Sequence, residues 1–101
     1  MPDKKYKVVF TNTAELEILN IYSYILDDSP INANKWIDEL QSACMSLANF
    51  PERHSEFKYT SEPSRQMIFN HTIRVIYTIN DDSVVITHCM RCEQKIRFGI
   101  L

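Results

Sequence analysis

Side chains able to do chemistry concentrate near the end of this 101-residue chain, in the run ITHCMRCEQKIRFGIL at positions 86–101. His88, Cys89, Arg91, Cys92, Lys95 and Arg97 all fall there, and Arg65 and Arg74 lie upstream. Arginines beside a histidine suit metal-independent cleavage of a phosphodiester. Guanidinium groups stabilise the charge that builds up on phosphorus, and an imidazole moves the proton. On that chemistry Arg65, Arg74 and Arg91 are the candidate cations and His88 the candidate base. The cysteines suggest metal or redox chemistry, but their spacing does not support it. Zinc takes four ligands, usually from two such pairs, and only one C-x-x-C is present. Residues three apart on a strand point to opposite faces. A redox pair also needs a helix N-terminus to lower its thiol pKa, and this pair follows a strand. No metal and no cofactor is expected. Cys44, Cys89 and Cys92 read as free thiols of a reducing compartment.

The elements that position these residues follow from periodicity. YKVVF (6–10) is short, β-branched and aromatic, and reads as a strand. Ala14, Ile18, Ile21, Tyr22 and Ile25 recur at helical spacing, with Asn12 and Glu15 as a capping start. Asp27-Asp28-Ser29-Pro30 ends that helix, and Ser29 with Pro30 opens the next. Its stripe is Ala33, Trp36, Ile37, Leu40, Cys44 and Leu47. Residues 51–64, polar and with two prolines, read as a loop. Residues 65–90 read as three strands with tight turns at Asn70-His71 and around Asn80–Ser83. The expected fold is a single α+β domain over residues 1–101. An N-terminal strand, a helical hairpin and a three-stranded antiparallel meander form one sheet, with the helices on one face.

Turn lengths set an expected register. A two-residue turn at Asn70-His71 pairs Met67 with Arg74 and Arg65 with Ile76. The next turn pairs Ile79 with Val84, Arg74 with Cys89 and Val75 with His88. Arg65, Met67, Arg74, Ile76, Thr87 and Cys89 then share the open face. Ile68, Ile73, Val75, Tyr77, Ile79, Ile86 and His88 face the helices. The structural alternative for Arg65 and Arg74 is an ion pair with Glu62 or Glu93. His54 and His71 fall in loops and read as surface residues.

Composition bounds the rest. Net charge is −2 and only one glycine, Gly99, is present. Phosphate cradles and nucleophile elbows built on glycines are therefore excluded. Residues 12–63 carry nine acids against three bases, and residues 64–101 five bases against three acids. Such unevenness can mark an anionic partner for the C-terminal part. No apolar run is long enough to span a membrane and no signal-peptide stretch is visible, so a cytoplasmic protein is expected.

Read in order, TAELEILNIYSYI, SPINANKWIDEL, LANFPE, Arg65, TIRVIYTI and VVITHCMR resemble the RelE/ParE superfamily, the toxins of bacterial type II toxin–antitoxin (plasmid stabilisation) modules. The resemblance covers nearly the whole chain. It implies a small α+β toxin neutralised by a cognate antitoxin. In RelE-like members it implies ribosome-dependent mRNA cleavage, and in ParE-like members poisoning of DNA gyrase. Arg74 matches the strand arginine of the nucleases, and Arg91 lies near their C-terminal one. Where those nucleases have a tyrosine near the C-terminus, this chain has Phe98, which has no hydroxyl. His71 stands where the family has a turn glycine. These departures, with the acidic net charge, favour the ParE-like branch and a binding protein over an enzyme.

The leading expectation is thus a growth-inhibiting, ParE-like toxin acting on gyrase through its helical hairpin. Its antitoxin would contact Arg65, Arg74, Arg91, Lys95 and Arg97, and a homodimer is compatible. The alternatives are a RelE-like endoribonuclease acting on ribosome-bound mRNA, and a non-toxic antitoxin-binding domain.

Overall fold

The structure, a computed structural model, describes residues 5–92. Strand β1 (Lys7–Phe10) leads into helices α1 (Asn12–Asp28) and α2 (Pro30–Met45). Single 3₁₀ turns at Ser46–Ala48 and Pro51–Arg53 follow. Strands β2 (Glu56–Phe57), β3 (Ser64–Phe69), β4 (Ile73–Asn80) and β5 (Ser83–Arg91) complete the described residues. The sheet runs β1-β5-β4-β3-β2. β1 joins β5 in parallel, and every other pairing is antiparallel. The α+β layer fold expected from the sequence is the one observed.

Capping explains the hairpin. Thr11, not Asn12, caps α1: it has extended backbone angles, and its Oγ1 accepts the Ala14 N–H at 3.1 Å. The same hydroxyl donates to the Thr87 carbonyl at 3.2 Å, which fixes the helix start onto β5. Ser29 serves both helices. Its N–H closes α1 on the Ile25 carbonyl, and its Oγ accepts the Asn32 N–H ahead of Pro30 at the first turn of α2. One extended residue between two helices forces a sharp reversal, so their apolar stripes meet one sheet face. The core there joins Ala14, Trp36, Leu40, Cys44 and Leu47 to Met67, Val75, Tyr77, Val84, Ile86 and Cys89.

The region 51–64 is more ordered than a loop. Its two-residue strand β2 pairs with Ser64 and Arg65, and the Gln66 N–H reaches the Ser55 carbonyl. A strand of two residues has no periodicity for a sequence to display.

Two features overturn the expected register. Asn70 and His71 both have positive φ (54° and 61°), and the loop is three residues long, so Phe69 pairs with Ile73 and Arg65 with Tyr77. Further along, a bulge at Ile76/Tyr77 sets Thr87 and His88 against Ile76. Ile79 does pair with Val84, but Val75 then pairs with Cys89, and Arg74 with Met90. The expected pairs Met67–Arg74, Arg65–Ile76, Arg74–Cys89 and Val75–His88 do not form. Met67 and Cys89 belong to the helix-side core, and Ile68 and His88 move to the opposite face.

Candidate functional site

The register decides which cations can act together, because cross-strand partners share a face. Arg65 pairs with Tyr77 and Arg91 with Ile73, so both lie on the helix side. Arg74, between Ile68 and Met90, lies on the other face. The expectation that Arg65 and Arg74 share an open face, with Arg91 available to it, does not hold.

Each arginine has its own setting. Arg65 Nη1 donates to the carbonyls of Glu52 (3.0 Å) and His54 (2.6 Å), so its charge holds the 51–55 segment against the sheet. These bonds go to backbone carbonyls rather than to Glu62, and Glu93 lies outside the described residues. The Arg91 guanidinium stacks 4.2 Å from the centre of the Tyr24 ring on α1. Arg74 lies 5.5 Å over Phe57, and its Nε is buried with no hydrogen-bond partner among the described residues. Lys95, Arg97 and Phe98 lie outside the described residues.

His88 also departs from expectation. The bulge turns it away from the core strip, and its Nδ1 meets Glu17 Oε1 at 3.3 Å. That oxygen also accepts the Cys89 N–H at 3.0 Å. β1 has ended opposite Ile86, so no strand supplies this acceptor, and the helix carboxylate takes its place. Glu17 was missed in the sequence. The available signal was a carboxylate three residues after Ala14 and four before Ile21, on the apolar stripe itself.

His54 is half-buried rather than fully at the surface. Its ring meets Tyr77 edge-on at 6.4 Å, and burial, then the nearby Arg53 charge, lower its pKa below the ordinary 6.5. Tyr77 is fully buried, and its hydroxyl donates to the Pro51 carbonyl at 2.6 Å; burial pushes its pKa up to about 12. His71 occupies an exposed turn. Cys44 and Cys89 are buried free thiols, each pushed up to about 12 by burial. Among the described residues no three His, Cys, Asp or Glu side chains are grouped to hold a metal ion, and no helix is long and apolar enough to cross a membrane.

A concave surface lies elsewhere, between the helices. A groove of about 500 Å³ is lined by Phe10, Ile18, Leu19 and Tyr22 on one side and Ile37, Leu40 and Cys44 on the other. Leu19 is 54% exposed and its neighbour Leu16 60%. The Tyr22 hydroxyl donates to Asn34 Oδ1 at 2.9 Å, bridging the helices near the hairpin turn. Apolar residues of a surface helix are normally buried, and here two leucines beside the α1 stripe are left uncovered.

Comparison with known proteins agrees with this architecture. The toxin–antitoxin structure "Chromosomal ParDE TA system from P. aeruginosa" aligns with a TM-score of 0.74 at 14% identity, over 88% of this chain and 98% of that one. The RelBE2 toxin–antitoxin complex from Mycobacterium tuberculosis aligns with a TM-score of 0.58 at 21% identity, over 92% and 100%. The conserved hypothetical protein HP0894 from Helicobacter pylori aligns with 0.60 at 16% identity, over 88% and 97%. At such identities the likeness establishes the fold alone. No curated protein sequence matches the chain. The profile of the ParE toxin of type II toxin–antitoxin systems (parDE) matches residues 8–95, most of the sequence, and the chain belongs to that family.

Proposed function

We propose that this toxin arrests growth by engaging DNA gyrase through its helical hairpin, and that a cognate antitoxin neutralises it. The observation supporting this reading over RNA cleavage is the division of the arginines. Cleavage without a metal needs cations converging on one phosphate. Arg65 and Arg91 lie on the helix side, one tied to backbone carbonyls and the other stacked on Tyr24. Arg74 is left without them on the opposite face. Phe98 offers no hydroxyl for proton transfer. The uncovered leucines of α1 supply what a protein target needs, an apolar patch on a rigid element.

The test is induced expression with and without the neighbouring open reading frame, reading replication and transcript integrity together. This reading expects halted replication, intact transcripts and rescue by the neighbouring product. One observation favours RNA cleavage: Arg74 and His88 are diagonal neighbours on the same sheet face. That reading expects transcripts cut within codons, with cutting lost in Arg74→Ala. Growth unaffected at confirmed expression, with tight binding to the neighbouring product, identifies a non-toxic binding domain.

A further inference from the structure

Phe50 sits in a backbone conformation that its side chain disfavours. Among the described residues, three that are not glycine have positive φ: Phe50 (51°), Asn70 and His71. Asparagine tolerates that region, whereas a bulky aromatic residue in it is an outlier. Phe50 also precedes Pro51. A residue in that position favours an extended ψ, against the 57° found here. Contacts from the rest of the fold hold the turn in place. The Tyr77 hydroxyl donates to the Pro51 carbonyl at 2.6 Å, and Arg65 donates to those of Glu52 and His54. Arg53 Nη1 donates to the Asn49 carbonyl and, at 3.5 Å, to that of Phe50. Pro51 itself is fully buried. The strain does not serve to bury the ring, because Phe50 is 59% exposed. Glycine or asparagine at this position would relax the turn and lose little packing.

We infer that this turn presents the Phe50 ring as an anchor for an apolar pocket with a carboxylate rim on the protein that the toxin arrests. A strained residue that its surroundings over-determine, with its side chain left exposed, marks a site of recognition. An aromatic anchor held rigid before binding loses little freedom on docking. The flanking charges specify the rim. Lys5 is exposed and bridges Asn49, next to the ring, and Arg53 holds the Phe50 carbonyl from the other side. Glu52 instead lines a separate hollow with Glu56, Arg65 and Tyr77. A pocket edged with carboxylates complements two cations around one ring. The turn follows the end of α2 remote from the hairpin reversal, about 24 Å along a helix of 16 residues. The inference rests on the toxin reading of this chain, and it adds a second contact to the hairpin surface.

Graded induction of the full chain in cells, with protein level read by blot, tests this. Phe50→Gly and Phe50→Asn remove the ring and relax the turn. Phe50→Gly is expected to raise the melting temperature by roughly 4–8 °C. Both variants are expected to need about thirtyfold more protein for the same growth arrest. A phenylalanine that is merely structural does not combine a gain in stability with a loss of arrest. Phe50→Tyr returns the ring and should recover most of the arrest lost in Phe50→Gly. Lys5→Glu should raise the level required about two- to fivefold. Both ring-less variants should still co-purify with the product of the neighbouring open reading frame. Arrest by both at wild-type protein levels overturns the inference. Loss of co-purification also overturns it, because Phe50 then belongs to the antitoxin contact. A lowered melting temperature in both does the same, because the ring then belongs to the fold. Wild-type arrest with replication intact removes the gyrase reading, and the same protein levels still decide the role of Phe50. A wild-type chain that arrests nothing removes the toxin reading and the inference with it.

Discussion

The side chains that look reactive in this chain are mostly occupied with holding it together. Cys44 and Cys89 sit in the core with pKa values pushed up to about 12, so their thiolates are scarce at any working pH, whereas Cys92 is half-exposed. A thiol reagent at mildly alkaline pH should label one cysteine of the native protein quickly. The other two should react only after denaturant is added, and mass spectrometry of the labelled peptides decides it. His54 makes a second prediction. Its pKa is lowered on folding, so the unfolded chain binds a proton more readily. Its contribution to stability is complete above about pH 6.5 and is lost as pH falls below that value. Urea midpoints measured from about pH 7 to about pH 5 should fall, and should fall less steeply in His54→Phe. An identical slope in the two proteins would place the acid sensitivity elsewhere.

At the scale of elements, two short irregularities carry most of the consequence. The β3–β4 loop holds His71 in the left-handed region, where any side chain costs about 1 kcal/mol relative to glycine. His71→Gly should therefore raise the unfolding free energy by about 1 kcal/mol, or the melting temperature by roughly 4–8 °C for a domain of this size. The bulge at Thr87 leaves the Cys89 N–H to Glu17. Glu17→Ala should cost about 1 kcal/mol or more, and Glu17→Gln, which keeps an acceptor, distinctly less. Equal losses in both would show that charge, not the acceptor, matters there. The elements themselves were legible in the sequence: Ser29-Pro30 marks the hairpin turn, and the stripe from Ala33 to Leu47 marks the buried side of α2. The faces of the arginines were not. A third loop residue, Thr72, and one bulged residue, Thr87, each shift the pairing by one position, and neither has a composition that announces it. Since side chains alternate with period two, each shift changes which residues share a face. Three arginines in sequence thus suggested a cluster that the backbone divides.

For the whole molecule, the division of charge matters more than its sum. An acidic, partly apolar hairpin packs on one face of the sheet, while the rest of the sequence is net basic. The acidic part was already visible in the count over residues 12–63, but the groove was not, because it exists only once the helices are packed. The parallel pairing of β1 with β5 has a consequence in time. Lys7 meets Ser83, Phe10 meets Ile86 and Thr11 bonds to Thr87, contacts between residues 76 positions apart in the sequence. On the ribosome the first strand and the hairpin emerge long before the strand that receives them, so the sheet closes only after β5 has been made. Long-range pairing of this kind also closes slowly, on a scale of about milliseconds to seconds. The arrest of growth proposed above would then require β5 to have been made and paired, whereas the hairpin is complete well before it.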